Sequence, residues 1–199
     1  MLALGVLGVL PFVVLVRGSA YLYANRGWPT WLALAGAAAA TLVLVAWYGT
    51  WLTRRFTGRV RFASVVKWVA LPLVLGYGTH GLVFLSSAHA ADERVRAEFR
   101  ATHPLLRVAL STLILARQDL LITDLARVPA DYPRMGLPVN DRTLHYRQGD
   151  GWVHAVDLQT GGRSEIVNRF VEIYFRAMGF RTLRHVGTAD HLHVELRMH

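Results

Sequence analysis

The sequence predicts an α-helical membrane anchor of three transmembrane helices, followed by a small α+β domain with an antiparallel sheet of about four strands. Three observations predict it. Every long hydrophobic stretch precedes the first acidic residue, Asp92. The seven basic residues before it (Arg17, Arg26, Arg54, Arg55, Arg59, Arg61 and Lys67) lie between or at the ends of those stretches. After it, short segments of helical and of alternating periodicity follow one another between Gly- and Pro-rich turns.

The chain has 199 residues, is 53% hydrophobic and carries a net charge of +9. Its mean hydropathy is +0.31. It has no cysteine, which excludes a disulfide framework, a thiolate metal site and a cysteine nucleophile. The basic balance does not point to nucleic acid, because most of the excess sits between apolar segments, where membrane topology accounts for it.

Candidate spans run from Leu2 to Val16, with continuation past Arg17 to Tyr23, then from Thr30 to Leu52 and from Val65 to Leu85. A bilayer core needs about 20 apolar residues. The second and third spans have that length; the first reaches it only with Arg17 snorkelling. Its alternative is a signal peptide, against which stand the absent basic n-region and the poor cleavage pattern. Tyr21, Tyr23, Trp28 and Trp31 mark one interface, and Trp47, Tyr48, Trp51 and Trp68 the other. The loop from Thr53 to Lys67 is the more basic, so the positive-inside rule places it in the cytoplasm and everything after the third span outside. In a bacterium this is a multi-pass inner-membrane protein with a periplasmic C-terminal domain. Pro11 and Pro72 are candidate kinks, and Gly76-Tyr77-Gly78 a candidate close-packing site. With no buried carboxylate in the spans, residues 1–88 read as an anchor in the lipid bilayer, and nothing identifies a protein partner for them.

Residues 89–103 read as a charged linker helix, a spacer ahead of a domain over 104–199. Pro104 to Arg117 has helical spacing with Pro at its start. Leu120 to Thr123 is a short strand, Val128 to Asp141 a loop, and Trp152 to Leu158 a second strand. Ser164 caps a helix from Glu165 to Met178, with Ile166, Phe170, Ile173, Tyr174 and Ala177 as its expected inner face and Gly179 at C′. Phe180 to Val186 is a third strand, expected to pair as a hairpin with a fourth, His191 to Arg197. In that last strand Leu192, Val194 and Leu196 share one face and His191, His193, Glu195 and Arg197 the other. Two imidazoles side by side suit a metal site or an acid–base pair, and suit an ordinary exposed edge strand equally.

Upstream residues add to this. Thr143-Leu144-His145 is followed by Gly149, Gly151 and Trp152, then Ala155-Val156-Asp157-Leu158. A helix ending in Met178-Gly179-Phe180 and His191-Leu192-His193-Val194-Glu195 complete the order. Residues 105–197 thereby resemble the zinc metallopeptidases of the D-alanyl-D-alanine carboxypeptidase, lysostaphin and hedgehog superfamily, the carboxypeptidase branch most. The resemblance implies zinc held by His145, Asp157 and His193, with His191 as acid–base residue. It places Asp190 near a general-base position and Arg127 where relatives hold substrate or a developing oxyanion. There is one departure: the family sets its first two ligands closer together than His145 and Asp157, and its interval counted back from Asp157 falls on Asp150. His154 is a further candidate, but residues three apart on a strand face opposite ways, so it is not expected to chelate with Asp157.

The expected function is a membrane-anchored zinc peptidase that cleaves peptide stems of bacterial peptidoglycan through a zinc-activated water. The altered His145–Asp157 spacing motivates an alternative, a non-catalytic module on a degenerate peptidase fold that binds cell-wall peptide or protein. A lysostaphin-type glycyl endopeptidase is a third reading; the helix between Asp157 and His191 stands against it.

Overall fold

The computed structural model describes residues 2–136, 138–187 and 190–197, with side chains from residue 8 onward. The chain forms two units, Met1–Leu82 and Val83–His199.

The first unit is helical. Helix α1 (Leu2–Arg26) runs unbroken through Pro11 and Arg17. Helix α2 (Thr30–Thr57) ends at Gly58, whose positive φ lets its N–H bond Arg54 O. A four-residue α3 (Phe62–Val65), a wide π turn (Val66–Ala70) and α4 (Leu71–Val83) then form one continuous rod. The π turn lies just ahead of Pro72, which has no N–H to complete a regular ladder. Among the described residues, two helical stretches, Thr30–Thr57 and Phe62–Val83, are long and apolar enough to cross a membrane. Small residues permit the close packing. A Cβ on Gly49 would lie 2.7 Å from Val65 Cγ1, and one on Gly36 3.1 Å from the Trp28 ring. The expected packing site at Gly76 and Gly78 is open: a Cβ on either would meet nothing within 4 Å.

The second unit begins before the expected domain start. Residues 89–103 are not a free spacer. Asp92 caps α5 (Glu93–Glu98) by accepting from Val95 N, and Val95 and Phe99 are buried. Two apolar residues four apart in a charged run give that short helix an inner face. His89 Nδ1 lies 2.9 Å from Leu120 O, Ala90 bridges Ile122 and Thr102 bridges Val153.

Helix α6 (Pro104–Ala116) is buried from Pro104 to Ser111 and again at Leu113. It packs on α8 (Glu165–Met178), where Tyr174 Oη donates to Ala109 O at 2.8 Å. Between them in sequence come β1 (Ile122–Asp124), α7 (Asp131–Arg134) and β2 (Ala155–Gln159). Strands β3 (Arg181–His185) and β4 (His191–Glu195) complete an antiparallel sheet ordered β1-β2-β4-β3. Val156, Leu158, Leu192 and Val194 bury one face of its two central strands, while Asp157, His191 and His193 stand on the other.

Ser164 Oγ accepts from Val167 N at the start of α8, and Gly179 closes it with φ 99°. Its buried face differs from expectation. Val171, Phe175 and Met178 point inward, whereas Ile166, Phe170 and Ile173 lie exposed at 84%, 50% and 63%. The helix carries two apolar stripes, and periodicity alone does not choose between them.

Candidate metal centre

Strand register builds the centre. In β2 and β4, Asp157 pairs directly with His193, so both side chains leave the same sheet face. His193 Nδ1 lies 2.8 Å from Asp157 Oδ1. His145 comes from the loop before β2, which is tied down by bonds from Arg127 N to His145 O and from His154 N to Leu144 O. Its Nε2 is 3.2 Å from Asp157 Oδ1 and 3.3 Å from His193 Nδ1. Twelve positions of chain between His145 and Asp157 therefore do not keep them apart.

The His145 ring is held in one tautomer. Its Nδ1 lies 2.5 Å from Leu125 O. A carbonyl only accepts, so Nδ1 carries the proton and Nε2 presents its lone pair to the cluster. On His193 the remote Nε2 sits 3.6 Å from Glu195 Oε2, which favours the proton there and leaves Nδ1 to bind. Arg127 reaches Asp157 Oδ2 through Nη2 at 2.5 Å while its Nε holds Asp124 Oδ2 at 2.5 Å. Burial by itself would push the Asp157 carboxyl up. In the metal-free chain the doubly protonated forms of His145 and His193, which donate to it, together with the charge of Arg127 outweigh burial and hold the group well below the carboxylate range. Burial likewise opposes a charge on His193, yet the Asp157 hydrogen bond and charge, with Glu195, raise its pKa. Two imidazole nitrogens and one carboxylate oxygen, convergent and mostly buried, can hold a metal ion.

The centre lies in a cleft of about 1310 Å³. His191 lines it, with Nε2 3.7 Å from Asp157 Oδ2. His185 faces His191 across β3–β4 and stacks on it at 4.6 Å. Counting outward from the hairpin turn would have placed these two rings together. Burial, with the neighbouring His191 and His193, lowers the His185 pKa. Asp190 is engaged elsewhere, accepting from Thr160 Oγ1 at 2.9 Å and pairing with Arg184 at 2.9 Å. Arg127 lines the cleft but is bound to two carboxylates.

A second His/Asp triad in this unit also has the spacing to hold an ion: His103, Asp150 and His154. Sequence reading did not assemble it. His154 turns away from Asp157, as alternation expects, and its Nε2 lies 2.8 Å from Asp150 Oδ2. His103 Nε2 is 3.9 Å from the same oxygen. Its Nδ1, however, accepts from Leu105 N at 3.3 Å, capping α6. In a neutral ring the other nitrogen then carries the proton, so His103 faces Asp150 as a donor rather than as a ligand. The two triads thus differ in tautomer: a backbone carbonyl frees the inward nitrogen of His145, and a backbone N–H occupies the outward one of His103.

No protein-family model, curated protein or solved structure matches this chain.

Proposed function

We propose that the second unit is a zinc peptidase, anchored by the apolar helices and acting outside the cytoplasmic membrane on peptide stems of bacterial peptidoglycan. One observation carries the reading: His145 Nε2, Asp157 Oδ1 and His193 Nδ1 lie 2.8–3.3 Å from one another in a cleft that also holds His191. Three protein donors of this N/N/O type, leaving further coordination open, are a catalytic rather than a structural zinc set. Zinc held there supplies Lewis acidity, polarising a peptide carbonyl and making water a nucleophile near neutral pH.

The chain's own groups divide the remaining work. His145 is oriented by Leu125 O. Arg127 acts as a positioning residue, keeping Asp157 ionised and aimed at the two imidazoles. His191 stands on the same strand face as His193 and takes up, then returns, the proton of the reaction. His185 stacks behind it. Asp190 is given no part in this reading. The basic loop between α2 and α4 supports an outward orientation by the positive-inside rule, which brings the cleft to the compartment of the substrate.

The test uses the full chain in detergent micelles. Metal analysis should find zinc bound, mass spectrometry should find cleaved muropeptides, and His193→Ala should abolish both. A chain that stays metal-free in added zinc rejects the reading. Zinc binding with muropeptide bound but intact replaces it with the non-catalytic binding module.

A further inference from the structure

We propose that the exposed stripe of α8 is a membrane-docking face, with Ile166, Phe170 and Ile173 seated in the interfacial region of the bilayer that holds the apolar helices. The inference rests on the membrane reading of those helices.

The stripe is apolar without serving the core. Its three residues recur at i, i+4 and i+7, on one side of a 14-residue helix whose other side already buries Val171, Phe175 and Met178. Arg169 and Arg176 stand beside it, their side chains 66% and 60% exposed and paired with Glu172. An apolar stripe edged by arginine is the pattern of a helix lying in the plane of a membrane interface. Long arginine stems cover apolar surface while the head group stays in the polar layer.

The occupant follows from chain length. Helix α4 ends at Val83. By His89 the chain is already bonded to Leu120, and Ala91 N to Ile122 O at 2.9 Å. Six residues span at most about 20 Å, so a bilayer around α4 is always within reach of the second unit. The exposed parts of the three side chains make an apolar area of roughly 400 Å², about the apolar share of one side of a standard protein interface. It is enough for a surface to which the unit is covalently tethered, because tethering replaces bimolecular association by a high effective concentration.

The chain has no cysteine, so a single introduced one is labelled uniquely. Spin labels are placed at Ile166→Cys and Ile173→Cys, with Val43→Cys on the exposed side of α2 and Asp141→Cys on an exposed loop as references. The full chain is studied in nanodiscs of phosphatidylcholine and phosphatidylglycerol. Collision with oxygen, which partitions into lipid, is compared with collision with a water-soluble nickel complex. The α8 labels should show an oxygen-to-nickel ratio several-fold above that of Asp141→Cys and approaching that of Val43→Cys. Nickel access equal to that of Asp141→Cys, with Val43→Cys in lipid, overturns the docking face alone. Shielding from both reagents overturns it in favour of a protein partner, and dipolar broadening identifies that partner as a second copy. A Val43→Cys label in water overturns the membrane reading and the docking face with it.

Discussion

Asp157 and His193 are register partners across β2 and β4, and their facing atoms are 2.8 Å apart. Because the pair is built on a sheet, its separation is set by backbone bonding on both strands and not by loop flexibility. His145 completes the centre from a loop that is itself bonded to Leu125, Arg127 and His154. A prearranged donor set of this kind lowers the ordering cost of binding an ion.

Ion stoichiometry should separate the two triads. The full chain is expected to bind one zinc ion tightly. Substituting His145→Ala or His193→Ala should remove it, whereas His154→Ala should leave it, as read by metal analysis after dialysis. Two tightly bound ions per chain would show that His103 gives up its bond from Leu105 N and that the tautomer argument fails.

Arg127 should matter to the ion without touching it. Replacing it by Met leaves Asp157 and Asp124 facing each other without the cation between them. Loss of such a supporting contact typically weakens metal affinity about 10- to 100-fold. Competition with a chromogenic chelator measures this. Arg127→Lys should recover only part, since one ammonium cannot reproduce the two directed bonds of the guanidinium.

The pH response should change sign when zinc is added. His193 has a raised pKa in the folded chain, so the stability it lends the metal-free protein is complete below the unfolded histidine pKa and is lost as pH rises through the folded value. Asp157 has a depressed pKa, so its contribution is present above the unfolded carboxylate pKa and is lost as pH falls through the folded value. The His193 and Asp157 contributions together are therefore greatest in mild acid and fall toward alkaline pH, against an opposing contribution from His185, whose lowered pKa costs stability in acid. Zinc must displace the His193 proton, so its affinity should climb over that alkaline range and reverse the slope. Thermal unfolding against pH, with and without zinc, reads both limbs.

In the first unit, Gly49→Val should loosen the packing of α2 on α3. The added Cβ alone would come to 2.7 Å from Val65 Cγ1, closer than carbon atoms approach. Overpacking of this kind costs about 1–3 kcal/mol. Gly76→Val should be near neutral, because a Cβ there meets nothing within 4 Å. Thermal stability of the two variants in the same micelles compares them.

Local patterns in the sequence determined most of the elements. The alternation of residues 191–197 placed Leu192, Val194 and Leu196 in the core, and Ser164 and Gly179 marked both ends of α8, because side-chain direction and capping depend on near neighbours along the chain. The lengths of the apolar stretches likewise determined the long helices. Only the tertiary structure decided what those elements bring together. Whether His145 reaches Asp157 depends on how a loop folds, His185 meets His191 through hairpin register, and His103 joins Asp150 and His154 from a segment distant in sequence. The packing of Val95 and Phe99 turned an expected spacer into part of the unit. For α8, two apolar stripes competed, and the sheet and α6 accepted the one carrying Val171 and Phe175. Periodicity states that a face is apolar; which face is buried is settled by the surface available to cover it.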